Sequence, residues 1–324
     1  MTINFKNVFI NEVSVVAGPY EAKGPLKKYF DSTYDDLYFG EKTFEQAEVK
    51  LISDSLDILR EKSGKEDIDL FIGGDLLNQI VASNYAMSKI YSSFIGIYAA
   101  CSNSTLGLIL GSKFVESGVK NVACFTSSHN NSAEKQYRYP VEYGGPKPKS
   151  TTFTSTGCAS ALLSSKGDIR VESGTIGRVI DSLNNNVFHM GGVMAKAACD
   201  TIYNHLKDTG RYIDYYDLVL TGDLGIYGKK ILKEYMLERY GIKLDRYDDT
   251  GCMLYDLDKQ EVYAGASGPA CAPLVVYGYI FDQMKKGKYK RVLMVATGAL
   301  MNPTMCNQKL NIPAIAHAVS LEVV

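Results

Sequence analysis

The chain has 324 residues, 46% of them apolar and 22% charged, with a net charge of −1, which places it among ordinary globular proteins and outside the disordered and low-complexity classes. Its Lys and Arg residues are scattered, so a nucleic-acid surface is not expected, and no apolar run approaches the roughly 18 residues of a bilayer span. Seven widely spaced cysteines without a C-x-x-C pair, and four distant histidines, read as reduced thiols with no metal site and no bound cofactor. The N-terminus lacks the plan of a signal peptide, and a cytoplasmic-type soluble protein is the expectation.

Taken in order, the first strand is VFINEVSVVAG. Thr43 with Gln46 forms a T-x-x-Q capping box, opening a helix whose core face is Ala47, Leu51, Ile52, Ser55, Leu56 and Leu59 and which stops at Gly64. A buried strand, IDLFIGGDLL, leads to a helix predicted over residues 78–91. Then comes GIYAACSNSTLGLILGS, a short strand, a turn of small residues and an apolar helix that ends near Gly118, with Cys101 at the junction. A thiol at a helix start is placed to act as a nucleophile, and the unpaired N–H groups there can instead seat an anion. The strand NVACFTSS follows, then a Tyr-, Gly- and Pro-rich passage over residues 129–151, too long for a simple connection and therefore expected to carry function. The strand TTFTSTGCASALLSS closes this half.

The second half echoes the first. Gly74-Asp75 recurs as Gly222-Asp223, 148 residues on, and Ala100-Cys101 and its following strand recur as Ala270-Cys271 and RVLMVATG, 170 residues on. Such duplication predicts two parallel-rich sheets about a pseudo-two-fold axis, with halves 1–165 and 166–324. Asp75 and Asp223 end equivalent strands and are expected to cap the next helices, with Asp75 also a candidate ligand contact. The spacing of Gly222, Gly225 and Gly228 before Lys229 fits neither nucleotide-binding pattern.

Two strand-helix repeats with a Cys at the first turn resemble the thiolase-like fold, an α/β architecture of two pseudo-symmetric halves in α/β/α/β/α layers. The segments ACSNSTLGLILGS, QYRYPVEYGGPKP, TGDLGIYG, AGASGPACAP, KRVLMVATGALMNPT and IPAIAHAVSLE, in this order, are similar to the stage V sporulation AD family of spore-forming bacteria. That resemblance implies a homodimeric, peripheral component of the spore inner membrane apparatus. It would bind dipicolinic acid, with calcium present as the ligand's chelate, and work beside other stage V sporulation A membrane proteins. The strand NVACFTSS is the expected edge for dimer pairing.

Two functions of different classes follow. One is a non-catalytic dipicolinic acid binding protein. Cys101, Ser102, Asn103 and Ser104 would hold one carboxylate, Arg138 the other, and Tyr98 or Tyr143 would flank the ring, with His189 and Asp75 as further contacts. The other is a Cys-dependent acyltransferase or ketoacyl-synthase-like condensing enzyme acting on a coenzyme A thioester, with Cys101 as nucleophile and His189 or His317 as base. Thiolases carry a Gly-His-Pro turn before the second central helix. This chain has Gly268-Pro269-Ala270-Cys271 there, and the missing His favours binding. His205 reads as a helix-surface residue and Cys306 is given no role.

Overall fold

The computed structural model describes residues 1–65 and 67–324. Ten strands form its main path: β1 (Phe9–Ala17), β2 (Leu70–Gly74), β3 (Ser93–Gly96), β4 (Val122–Ser128), β5 (Gly157–Ser164), β6 (Ile169–Ile176), β7 (Leu218–Thr221), β8 (Tyr247–Asp249), β9 (Arg291–Ala299) and β10 (Pro313–Val323). The first five run in the order β1-β5-β4-β2-β3 and the second five in the matching order β6-β10-β9-β7-β8. In each half the two innermost pairings are antiparallel and the two outermost parallel, so β7 stands where β2 stands and β9 where β4 stands. The halves are not separate sheets. Phe9 pairs with Arg170 and Ile10 with Ile169, which joins them into one hydrogen-bonded path.

Helix α1 (Phe44–Ser63) begins where Thr43 Oγ1 accepts the Gln46 N–H at 3.2 Å and ends at left-handed Gly64, and its apolar stripe covers one face of the first half. Helix α2 (Asn103–Glu116) follows Cys101 and is apolar nearly all round, because it lies between the two halves and touches strands of both. Its pseudo-symmetric partner, α6, is the continuous run Cys271–Pro273, Leu274–Ile280 and Phe281–Lys285, whose middle segment is a π-helix. Helices α4 (Met190–Thr209) and α5 (Gly225–Tyr240) cover the outer face of the second half. The result is the α/β/α/β/α layering expected of the thiolase-like fold.

Several expectations need correction. The predicted helix 78–91 is a 3-10 turn, Asn78–Ile80, and a helix only over Val81–Met87. Gln79 and Ile80 are left-handed, and the Asp75 carboxylate accepts from Ser83 N–H at 2.8 Å, which fixes the later start. The passage 129–151 contains a helix, α3 (Asn130–Tyr137), capped by His129, whose Nδ1 accepts from Asn131 N–H. Strand β4 is not an edge: β2 and β5 occupy its two sides, and the first half ends instead at β3. His205 is fully buried, bonded through Nδ1 to the Thr175 hydroxyl and through Nε2 to the Tyr216 hydroxyl, each at 2.7 Å. All seven cysteines are free.

Candidate functional site

The turn that carries Cys101 is built from its neighbours. Ala100 adopts φ +49°, uncommon for a residue with a Cβ, and the turn around it is held by Asn103 Oδ1 accepting the Ala99 N–H and by the Ser102 hydroxyl donating to Ala99 O, both at 2.6 Å. Gly298 of β9 lies against this turn so closely that a Cβ there would meet Ala99 O at 2.4 Å. The two halves thus meet at the backbone of the turn.

Cys101 lines a cavity of about 490 Å³, counting the space at its open mouth. The other groups come from many elements: Leu76 and Tyr98 from loops after β2 and β3, Glu134, Tyr137 and Arg138 from α3 and its end, Met190 and Met194 from α4, and Asp223 after β7. Thr154, Ser267 and Gly268 reach it because the two-residue strands Phe153–Thr154 and Ala266–Ser267 pair in parallel across the halves. Tyr98 and Tyr137 share a hydroxyl hydrogen bond of 2.9 Å on one wall, and Met190, Met194 and Met301 make another wall apolar.

Two charged groupings divide the cavity. On the β7 side burial, and after it the neighbouring Asp223 carboxylate, push the Cys101 thiol well above its usual range. Burial likewise raises Asp223 to about 7, against the donors Thr297 Oγ1, Cys101 and Gly268 N–H that favour its ionised form. On the α3 side Arg138 Nη1 donates to Glu134 Oε1 at 2.7 Å, and Lys147 Nζ, behind the cavity lining, lies 3.0 Å from Glu134 Oε2, so one buried carboxylate holds two cations.

The structure therefore brings Cys101, Tyr98 and Arg138 together, and leaves the other candidates outside the cavity lining. Ser102 and Asn103 use their side chains to build the turn, and their own N–H groups return to Ala99 O and Ala100 O, so they do not offer the free donors expected of a carboxylate seat. Ser104 is buried without a partner beside a separate small void shared with Asn103, Thr126 and Tyr277. Asp75 is buried and accepts from Leu77 N–H, Ser83 N–H and the Ser83 hydroxyl. Tyr143 is 76% exposed. His189 caps α4, its Nδ1 accepting from Gly192 N–H at 3.0 Å, and only the next residue, Met190, reaches the cavity. His317 is buried in β10, accepts from Gly177 N–H, and is pushed down to about 4 by burial. None of the four histidines lines the cavity.

Glu134, Lys147 and Asp223 were not anticipated as a site. Glu134 and Arg138 stand four apart, the spacing of an ion pair on a helix, and that was the readable signal in the passage 129–151.

A family profile described as Stage V sporulation protein AD (SpoVAD) matches residues 1–322. The chain is 44% identical over 319 residues to Stage V sporulation protein AD of Bacillus subtilis (strain 168), which covers 97% of this chain and 94% of that one. Solved structures with the same fold include cerulenin-bound OleA of Xanthomonas campestris, at TM-score 0.61 and 14% identity with 98% of each chain covered. Another is 3-oxoacyl-[acyl-carrier-protein] synthase III of Aquifex aeolicus VF5, at TM-score 0.54 and 16% identity with 99% of each covered. Those likenesses establish a thiolase-like fold, and the full-length match to the sporulation family establishes kinship: the chain belongs to the stage V sporulation protein AD family.

Proposed function

We propose that this protein is a non-catalytic binding protein for dipicolinic acid and serves its uptake into the developing spore. The observation that carries the reading is the pairing, in one cavity, of a thiol kept protonated by burial and by the neighbouring Asp223 with the guanidinium of Arg138. A condensing enzyme needs Cys101 as thiolate and a partner that takes its proton. Asp223 ionises near 7 and the thiol far higher, so the proton rests on sulfur. The same cavity suits a flat aromatic acid: tyrosines and methionines for the ring, a guanidinium for a carboxylate.

Within this reading calcium arrives as the ligand's chelate and is not a resident cofactor. The protein works at the inner membrane of the forespore beside other stage V sporulation A membrane proteins. Among the described residues no helix is long and apolar enough to cross a membrane, so attachment would run through those partners. A homodimer is part of the proposal, and the edge at β3 is where a second copy would pair.

Calorimetry with dipicolinic acid, with and without calcium, tests it alongside intact-mass detection of acylation by acyl coenzyme A. Saturable heat and an unmodified Cys101 are expected. No heat together with an acylated Cys101 would replace this reading with the condensing-enzyme one.

A further inference from the structure

The segment between β2 and Val81 is held in a strained shape. Gln79 and Ile80 are consecutive left-handed residues, at φ +58° and +47°, and its β-branched side chain makes Ile80 a costly occupant of that region. The bonds that hold them come from side chains. Asp75 accepts from Leu77 N–H at 2.8 Å through one oxygen, and from Ser83 N–H and the Ser83 hydroxyl, at 2.8 and 2.6 Å, through the other. From α3, Gln136 donates to Leu76 O at 3.0 Å and accepts from Asn78 N–H at 2.8 Å, and the Tyr137 hydroxyl donates to Leu76 O. The segment reaches two surfaces: Leu76 lines the cavity, and Ile80 Cδ1 lies where a Cβ on Gly96 of β3 would stand.

The charge of Asp75 reaches a second buried acid, Glu48 of α1. Glu48 Oε1 is 2.9 Å from the Ser127 hydroxyl of β4, and Oε2 is 2.9 Å from the Ser132 hydroxyl of α3. Ser132 Oγ also lies 3.1 Å from His129 O, and a hydroxyl has one hydrogen to give. Both Ser132 contacts are hydrogen bonds only when Glu48 Oε2 carries a proton of its own. Asp75 instead meets three donors and no acceptor, the pattern of an ionised carboxylate. One proton thus serves the pair. Burial, and after it the charge of Asp75, raises Glu48 to about 8, and burial raises Asp75 as well, against its donors. Of the other groups that act there, Glu45 is paired with Lys135 and His129 is neutral above about 4. The Cys158 thiol of β5 is neutral below about 12, and Tyr98, beside Asp75, is raised above its usual range.

We infer that residues 76–80 are a proton-coupled latch, closed while Asp75 is ionised and Glu48 neutral, and released when Glu48 loses its proton to solvent. An ionised Glu48 sets a second negative charge against Asp75 and leaves one Ser132 contact without a hydrogen. The strained segment yields first, because α1 is fixed by its buried stripe while residues 76–80 rest on side-chain bonds. Release withdraws Leu76 from the cavity wall and Ile80 from β3. The closed form holds the extra proton, so it is favoured at low pH and loses ground as pH rises to about 8, above which the effect levels off.

Hydrogen exchange by mass spectrometry on the full chain tests this, read as protection factors at pH 5.5, 6.5, 7.5 and 8.5 for a peptide covering 76–84 and one from β9. In the unsubstituted protein the 76–84 peptide should lose about tenfold or more of its protection across this range, beyond any change in β9. Glu48→Gln should abolish that loss, since Gln accepts from Ser127 and donates to Ser132 as the neutral acid does. Ser83→Ala, which removes one bond to Asp75, should lower the protection by about tenfold at pH 5.5 and keep the slope. Equal slopes in 76–84 and β9 of the unsubstituted protein overturn the latch whatever the variants do. A slope that survives in Glu48→Gln overturns the part given to Glu48, and protection unchanged by Ser83→Ala overturns that given to Asp75.

Discussion

Asp75 and Asp223 end equivalent strands, and what separates their roles is which carboxylate serves the segment that follows. In the first half Asp75 does so itself, through Leu77 and Ser83. In the second half Asp249, at the end of β8, accepts from Leu224 N–H and Gly225 N–H at the start of α5, at 2.9 and 2.8 Å. Asp223 is thereby left to face Cys101 and Thr297. Replacing Asp223 with Asn removes the negative charge that raises the thiol, so Cys101 should react with iodoacetamide on the order of tenfold faster at pH 8. The rate is read by intact mass, with the other six cysteines replaced or counted separately. An unchanged rate would mean that burial alone sets the thiol. The position of Cys101 at a strand-to-helix turn was legible in the residue pattern, because small residues followed by an apolar helical period leave few alternatives. The partner was not legible: two Gly-Asp pairs look alike until a third carboxylate, 26 residues further on, takes over one of their tasks.

At the level of elements, what local chemistry specifies was readable and what depends on contact across the halves was not. Helix α1 has its cap, its period and its terminal Gly in sequence, and all three appear where expected. The middle of α6 departs from α-helical pairing although LVVYGYI has nothing that announces a π-turn, and α3 lay hidden because its buried Glu134 and Arg138 pair with each other where apolar periodicity would have revealed a helix. The crossing of α4 and α5 is another contact of this kind. Gly191 and Gly228 pack so closely that a Cβ on Gly228 would meet Gly191 backbone atoms at 2.7 Å. Since backbone cannot rotate away, Gly228→Ala should force the helices apart and lower stability by about 1–3 kcal/mol. Thr43→Ala, which removes only the half-made cap of α1, should cost about 0.5–2 kcal/mol without altering packing. Urea unfolding separates the cases through the α4–α5 contact: a fluorescent or NMR probe on α4 should change in the native state of Gly228→Ala and not of Thr43→Ala. A native-state spectrum unaffected by Gly228→Ala would show that the crossing has slack.

On the scale of the whole molecule, one of the contacts between the two halves is made by a buried acid. Glu21 sits in the loop after β1 and accepts from Thr156 N–H at 2.9 Å at the entry to β5 and from the Tyr255 hydroxyl of the second half. The rings of Tyr20, Phe153 and Tyr255 pack against one another, and Gln260 donates to Tyr20 O at 2.8 Å. The second oxygen of Glu21, Oε2, has no partner, and burial raises the carboxyl to about 7 from a usual 4.5. A folded pKa above the unfolded one means that the native state holds the extra proton between these values. The stabilisation is therefore complete below about pH 4.5, falls as pH rises, and is gone above about 7, a change on the order of 3 kcal/mol. The total pH profile will not display this directly. His129, His205 and His317, each pushed down to about 4 by burial, add stability as pH rises through the overlapping range between 4 and 6.5. The difference between the unsubstituted protein and Glu21→Gln isolates the term, since both contain the same histidines and Gln cannot titrate. Urea unfolding of both at half-unit steps from pH 4 to 8.5 should show the unsubstituted protein losing ground to the variant between pH 4.5 and 7, with parallel curves on either side. Curves parallel throughout would mean that Glu21 is solvated in the native protein, and that the two halves meet around water and not around a dry carboxyl.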